Sequence, residues 1–188
     1  MRINSHCTHL QYLCIMKEIK PIAFFHSPFT SKFGIPRQSG LVDGLRGRIV
    51  FKPEYNNVEA LRGLEDFDYV WLIWGFSANE GKKVSSTVRP PRLGGNERVG
   101  VFASRSPFRP NGLGLSSVKI AAVGNGWVDV MGADLMDGTP IYDVKPYVVY
   151  ADSHPDARSG FTDNRAWQRL EVSVPAEFEH LFTSGELE

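Results

Sequence analysis

The 188-residue chain contains little cysteine, and its two thiols, Cys7 and Cys14, both lie near the start. Two such cysteines do not make a disulfide framework, so we expect a protein of the reducing cytoplasm. No apolar run approaches the roughly 20 residues that a membrane-spanning helix requires, and no membrane partner is predicted. The start of the chain also lacks an uninterrupted apolar segment followed by small residues, so a secretory signal is not expected.

The sequence also lacks the short motifs that mark common enzyme classes. No Gly-rich dinucleotide fingerprint follows a strand, no phosphate-binding P-loop occurs, and neither a nucleophile elbow nor a His-Glu-x-x-His zinc motif is present. His6, Cys7, His9 and Cys14 match no zinc-site spacing and precede the patterned part of the chain, so no metal site is predicted. Dehydrogenases, kinases and hydrolases of these types therefore have no support in the sequence.

Net charge is absent as well, because 21 basic residues balance 21 acidic ones. Taken alone, this argues against nucleic acid, since phosphate binding depends on Lys and Arg. The distribution differs from the total: residues 82–109 carry seven basic side chains and one acid, whereas residues 151–188 carry eight acids and three arginines. The neutral total therefore hides one concentrated basic segment, which either contacts nucleic acid or is a solvated loop.

Short segments rich in β-branched and aromatic residues alternate with Gly and Pro along the chain. Some of these segments alternate apolar and polar residues, which is typical of a half-buried strand, whereas YVWLIWGF is apolar throughout and is expected to be covered on both faces. Many short strands and few helices indicate a barrel or a sandwich rather than βαβ units. We expect strands at residues 19–26, 46–51, 69–76, 98–103, 116–123, 127–133 and 146–150.

Helical signals are confined to two places. Asn56 and Asn57 can cap a turn or two, and Pro175 stands at the favoured start of a short amphipathic helix over residues 176–182. The patterned sequence predicts one domain over residues 18–152. We expect residues 1–17 to be an appendage, disordered or not native to the protein, and residues 153–188 to be a tail that contains the short helix.

Four loops carry residues that are more specific than packing requires. In FGIPRQ, a proline stiffens the backbone that presents the guanidinium of Arg37 and the amide of Gln38. This loop suits a carboxylate or a purine edge, although it also reads as an ordinary surface turn. In TVRPPRLGG, two prolines hold Arg89 and Arg92 about one strand-step apart, which suits either phosphate tracking or a linker.

The other two loops lie further along the chain. In ASRSPFRPNGLGL, prolines limit the backbone freedom around Arg105 and Arg109, and such preorganisation favours ligand binding over a structural turn. In DLMDGTPIYDVKPY, a tight Asp-Gly turn offers backbone groups to a nucleoside or amino-acid group, or serves only as a turn. Asp143, Lys145 and Tyr147 then alternate, which places them on one face of an extended segment.

The strongest segments, in chain order, are PRQ at 36–38, RGLEDFDYVW at 62–71, TVRPPRLGG at 87–95, GVFASRSPFRPN at 100–111 and DGTPIYDVKPY at 137–147. Together they resemble the TsaA-like family, also called TrmO, of tRNA adenine-N(6)-methyltransferases. The resemblance covers roughly residues 19–152, and the combination is far more specific than any single loop in it. It implies one closed β-barrel of about seven short strands with few short helices, a fold without a Rossmann nucleotide site.

The resemblance also implies a cofactor, S-adenosyl-L-methionine, bound near the interface of a homodimer. The implied substrate is N(6)-threonylcarbamoyladenosine at position 37 of the tRNA anticodon stem-loop, methylated on the same nitrogen. This sequence has Ser77 where relatives carry a His in the cofactor site. By matching motif positions, the cofactor contacts fall on Pro36, Arg37, Gln38, Ser77, Ala78, Arg105, Leu115, Asp137, Gly138, Thr139 and Pro140.

Within this hypothesis the protein's main task is to position the reactants, since a methyl sulfonium is already a strong electrophile. Asp143 is the candidate catalytic base that accepts the proton of the attacking nitrogen. The candidate tRNA-binding residues are Arg89, Arg92, Arg98, Arg109 and Lys145. Two alternatives stay open: a non-catalytic barrel that binds RNA or S-adenosylmethionine as a sensor, and a methyltransferase of this family with another small acceptor.

Overall fold

The computed structural model describes residues 18–79, 81, 83–163, 173 and 175–178. Eight strands occur in this part of the chain: β1 (Ala23–His26), β2 (Arg46–Phe51), β3 (Tyr69–Gly75), β4 (Thr87–Val88), β5 (Val99–Gly100), β6 (Leu113–Gly124), β7 (Trp127–Met131) and β8 (Thr139–Pro146). Six of them form a closed antiparallel barrel in the order β1-β2-β7-β6-β3-β8, and β8 returns to pair with β1. β4 and β5 form a separate two-stranded ribbon. The mainly β fold with one closed barrel is confirmed.

Helices are short in the described part of the chain, where none is long and apolar enough to cross a bilayer. α1 (Val58–Leu61) begins where the Asn57 side chain accepts a hydrogen bond from the backbone N–H of Glu59 at 2.9 Å, which confirms the predicted cap. α2 (Val149–Asp152) follows β8, and single 3-10 turns join other elements. The predicted helix over residues 176–182 is described only as the turn Ala176–Phe178; the rest of it and residues 1–17 lie outside the described residues.

The barrel encloses the main hydrophobic core. Its strands alternate inward and outward side chains, as a period of two requires. The ring of Phe25 on β1 covers Gly47 and lies 2.1 Å from where a Cβ on that residue would stand, so β2 needs glycine there. This packing fixes the strand register and thereby the loops at the barrel ends. The inward residues include Phe25, Ile49, Leu72, Val118, Val130 and Ile141.

Two predicted strands are wrong. Of residues 98–103 only Val99–Gly100 is extended, paired with the two-residue β4, and the chain then turns through the 3-10 segment Val101–Ala103. The strand predicted at residues 146–150 ends at its first residue, because β8 stops at Pro146. The next segment becomes α2, whose entry is fixed by a hydrogen bond of 2.8 Å from the Val148 N–H to the Asp152 carboxylate.

The expectation that YVWLIWGF is covered on both faces is also wrong. Val70, Leu72 and Trp74 face the core, but on the other face Tyr69 is 43% exposed. Trp71 is half-buried on that outer face, where its ring lies 5.6 Å from the ring of Tyr147. The physical reason is that β3 belongs to a single closed sheet, whose outer surface no second layer covers in this part of the chain.

Candidate active site

A cleft of ≈ 820 Å³ opens at one end of the barrel. Its walls come from segments far apart in sequence: the loop before β2, the end of β3 with the turn after it, the loop before β6 with the start of β6, and the segment between β7 and β8. The barrel register brings these segments together. Nine of the residues singled out from the sequence line this cleft: Pro36, Arg37, Gln38, Ser77, Ala78, Arg105, Arg109, Leu115 and Thr139.

Hydrogen bonds hold the two arginine-bearing loops in place. Arg105 Nη1 donates to Gln38 Oε1 at 2.7 Å, which joins two motifs 67 residues apart in the chain. Arg109 Nη1 donates to the carbonyl of Ser104 at 3.0 Å. The Ser104 hydroxyl in turn donates to the carbonyl of Val101 at 2.9 Å, so this loop is folded onto itself. The geometry agrees with the preorganisation that the proline spacing predicts.

Three of the predicted cofactor residues, Asp137, Gly138 and Pro140, do not line the cleft. Asp137 Oδ1 lies 3.2 Å from the backbone N of Ser27, which donates to it, and 3.2 Å from His26 Nδ1. The N–H of Gly138 donates to the carbonyl of Phe25 at 2.8 Å. The turn is therefore tied to β1 and supports the wall of the cleft from behind, while Thr139 beside it reaches the lining.

Asp143, the predicted proton acceptor, also lies outside the cleft lining. It pairs across strands with Ile73, a lining residue, so it stands at the border of the cleft. Its carboxylate forms an ion pair with Lys145 at 3.0 Å and accepts a hydrogen bond from the N–H of Val144, also at 3.0 Å. Asp143 and Lys145 thus share one face, as the alternation predicts, and their roles toward proton and tRNA stay predictions.

The carboxylate that does face the cleft is that of Asp134, which was not predicted as a site residue. Its Oδ1 accepts a hydrogen bond of 2.6 Å from the Ser116 hydroxyl, which in turn accepts one of 3.0 Å from Nε1 of Trp74. Burial raises the pKa of Asp134 above the usual aspartate range. Hydrogen bonds from Ser116 and from backbone amides, including that of Ser39, and the charge of Arg105 oppose the rise.

The only signal for Asp134 in the sequence is an acid between apolar residues directly after an alternating strand. The aromatic walls were missed for a similar reason, since Trp74 and Phe76 belong to an apolar run. Their rings meet edge to face at 4.4 Å beside the cleft. Phe108 and Met136 add to the apolar lining.

A second pocket of ≈ 240 Å³ adjoins the cleft and shares part of its wall, including Phe76, Phe108 and Arg109. The second pocket is also lined by Asn111, which has the left-handed backbone angle φ 64° that few residues other than glycine adopt. Arg109 therefore stands between two adjoining spaces.

The remaining basic candidates lie away from both pockets. Arg98 Nη1 donates to the Thr87 hydroxyl at 2.9 Å and so ties β5 to β4. Arg89 is exposed directly after β4, and Arg92 is half-buried in the turn Pro91–Leu93. These three arginines belong to the ribbon and its loop, whereas Arg109 belongs to the cleft wall. Within the described ranges, no three His, Cys, Asp or Glu side chains are grouped to hold a metal ion.

Comparison with known proteins gives a consistent result. The chain is 47% identical to RcsF of Pseudomonas aeruginosa over 145 residues, which is 77% of this chain and 63% of RcsF. It is 41% identical over 166 residues to the tRNA (adenine(37)-N6)-methyltransferase of Escherichia coli K12, covering 86% of this chain and 71% of that protein. The crystal structure of TrmO from P. aeruginosa superposes with a TM-score of 0.68 at 39% identity, over 81% of this chain and 65% of that one.

The chain thus spans about two thirds of the length of these proteins. A family model described as the tRNA-methyltransferase O N-terminal domain matches residues 24–153, which include all six barrel strands apart from the first residue of β1. The match also includes every segment that lines the cleft. The chain therefore belongs to the tRNA-methyltransferase O family.

Proposed function

We propose that this protein transfers a methyl group from S-adenosyl-L-methionine to N(6) of threonylcarbamoyladenosine at position 37 of tRNA. One observation carries the proposal: residues from four separate segments of the chain, three of which belong to the motifs singled out from the sequence, meet in one cleft at the barrel end. The names of two relatives support it, since RcsF is named as an S-adenosylmethionine-dependent methyltransferase and the E. coli protein as a tRNA (adenine(37)-N6)-methyltransferase.

The residues of the cleft fit this cofactor. Its volume lies within the range of small-molecule sites, which is about 300–1,000 Å³. Arg37 and Arg105 suit a carboxylate, the rings of Trp74 and Phe76 suit a purine and an aliphatic stem, and Asp134 suits a positive charge. When bound, S-adenosylmethionine supplies a methyl group on a sulfonium. The protein's part is to orient this group and to exclude water from it.

Roles follow from placement. Pro36, Arg37, Gln38, Ser77, Ala78, Arg105, Leu115 and Thr139 would hold the cofactor, and Asp137, Gly138 and Pro140 would support that wall. Arg109, which borders both pockets, would face the target nucleoside from the smaller one. RNA is usually read on bases that project from single-stranded loops, which suits a pocket that opens beside the cofactor.

For the rest of the tRNA we propose electrostatic docking on the ribbon. Arg89, Arg92 and Arg98 lie in the loop between β4 and β5, and would track phosphates of the anticodon stem-loop. Lys145 would add a contact from β8. Such contacts determine the position and the affinity of the tRNA, whereas the two pockets determine which base is bound.

We also propose a cytoplasmic homodimer. Ile73 and Leu115 are cross-strand partners on the outer face of the sheet, both line the cleft, and Leu115 is 52% exposed. A second copy packed over this face would bury the leucine and complete the wall of the cleft.

Calorimetry with S-adenosylmethionine, followed by a methyl-transfer assay on anticodon stem-loops with and without the threonylcarbamoyl group, tests the function. We expect binding, and transfer only to the carbamoylated RNA, read by mass spectrometry of the nucleosides. Arg109→Ala should reduce transfer at least tenfold, whereas Arg158→Ala, at an exposed arginine of the tail, should not. Cofactor binding without transfer would favour the sensor, and transfer to another acceptor would redirect the substrate assignment.

A further inference from the structure

We propose that Asp134 makes the cleft prefer the positively charged cofactor over its neutral thioether product, S-adenosylhomocysteine. The inference rests on the proposed function and deepens it. It names one side chain as the reason why S-adenosylmethionine binds more tightly than S-adenosylhomocysteine, which is released after the reaction. It requires a carboxylate that faces the cleft, that no cation neutralises by direct contact, and that its neighbours hold in place.

Charge in the cleft makes such a carboxylate necessary. Four cationic side chains line it: Lys32, Arg37, Arg105 and Arg109. Of the described residues that line it, Asp134 alone is acidic. S-adenosylmethionine carries one negative and two positive groups, and methyl transfer removes the sulfonium charge. A net positive ligand is therefore repelled by this lining unless the carboxylate faces it, whereas the neutral product is not.

The surroundings of Asp134 keep its carboxylate at the wall. The Ser116 hydroxyl donates to it at 2.6 Å, the backbone amide of Ser39 also donates, and Arg105 acts on it through charge at a distance. Ser116 is only 1% exposed and is held in turn by Trp74, so the donor cannot swing away. The groups that donate to the carboxylate are thus uncharged, so its charge, when it is ionised, is left for a ligand.

The neighbouring aspartates on the same stretch of chain lack these properties. Asp137 is engaged by Ser27 and His26 on the far side of the turn. Asp143 is neutralised by Lys145 and stands outside the lining. Only the residue at 134 brings a carboxylate to the cleft among these three.

The preference should depend on pH in a defined direction. The groups that face Asp134 are the Ser116 hydroxyl, the Ser39 amide and the Arg105 guanidinium, with Lys32, Arg37 and Arg109 elsewhere in the lining. Burial raises the pKa of the carboxyl despite these groups. As pH falls through that pKa, the carboxyl becomes neutral and the advantage of the charged ligand disappears, while product binding is little affected.

Calorimetric Kd values for S-adenosylmethionine and S-adenosylhomocysteine test the inference without any turnover. The ratio of the two is the readout, because misfolding or a displaced loop weakens both ligands alike. We expect Asp134→Asn to lower the preference for the charged ligand at least tenfold, about 1.4 kcal/mol, by weakening that ligand only. Asp66→Asn, at an exposed carboxylate outside both pockets, is the matched control and should leave the ratio unchanged.

An unchanged ratio of the two Kd values in Asp134→Asn, whether or not both ligands bind more weakly, would overturn the inference while leaving the proposed cofactor in place. If the variant does not fold, the wild-type ratio measured from pH 4 to pH 8 decides: it should fall on acidification, and a flat profile contradicts the proposal. Failure of the wild-type protein to bind either ligand would instead refute the proposed function, a result distinguishable from the first two.

Discussion

Replacing Ser116 by alanine probes the buried hydrogen-bond chain that connects the barrel interior to the cleft. The hydroxyl accepts from Trp74 Nε1 at 3.0 Å and donates to Asp134 at 2.6 Å, and Ser116 is 1% exposed, so water does not replace it. The variant leaves a buried indole N–H without its acceptor and a carboxylate without one of its donors. The unsatisfied indole N–H costs about 1–3 kcal/mol, and the lost hydrogen bond to the carboxylate, which keeps its other donors, adds about 1 kcal/mol. We therefore expect a loss of about 3 kcal/mol in unfolding free energy.

For a chain of this length, such a loss lowers Tm by about 6–12 °C, measurable by calorimetry or circular dichroism. Ser117→Ala is the matched control, since Ser117 is the next residue of β6 and faces the outer side; its effect should stay within about 0.5 kcal/mol. The Ser116 hydrogen bond lowers the pKa of Asp134, so its removal should raise that pKa further in a carboxyl NMR titration. If Ser116→Ala lowers the unfolding free energy by less than about 1 kcal/mol, no more than the control does, the hydrogen bonds from Trp74 to Ser116 and from Ser116 to Asp134 do not have the stabilising role described.

Three further outcomes follow from the geometry. A Cβ on Gly114 would stand 2.3 Å from the Trp74 ring, so Gly114→Ala should displace the ring and lower the unfolding free energy by about 1–3 kcal/mol. The same variant should bind the cofactor more weakly, as measured by calorimetry. Gly100→Ala, with open space around the added Cβ, should change neither quantity. Because the native pKa of Asp134 is raised, the native state binds its proton more tightly than the unfolded state. Unfolding free energy should therefore fall as pH rises from the ordinary aspartate pKa through the native one, and urea titrations of Asp134→Asn should lack this component. Leu115→Asp should convert the proposed dimer to monomer in analytical ultracentrifugation, and a wild-type monomer at micromolar concentration would contradict that proposal.

Much of the fold could be predicted because its strands carry local signals. The bounds of β2 agree with those expected from the sequence, and β7 starts where expected, at Trp127 after a Gly-Asn-Gly turn. Segment 98–103 shows the limit of such signals. An alternating pattern shows that a segment is compatible with a half-buried strand, but the segment becomes a strand only where a neighbouring strand pairs with it. Here the neighbour is β4, which has only two residues, so the strand is equally short.

The cleft was predictable as a set of loops but not as a set of side chains. Asp134, Asp137 and Asp143 lie within ten residues and look equivalent in sequence. Their roles diverge because of partners elsewhere: Ser27, 110 residues away, engages Asp137, and Ser116 engages Asp134. Which carboxylate reaches the cleft is therefore decided by barrel register, which no local pattern encodes.

The pairing of β1 with β8 has a consequence for how the protein matures. Ala23 pairs with Ile141, so the barrel cannot close until nearly all of its strands have left the ribosome, and contacts so distant in sequence form slowly. β8 begins at Thr139, a residue that lines the cleft, so the cleft is completed in the same step that closes the barrel. A ligand in the cleft would then stabilise the pairing of β1 with β8. Its presence should lower the rate at which the barrel opens more than it raises the rate at which the barrel folds.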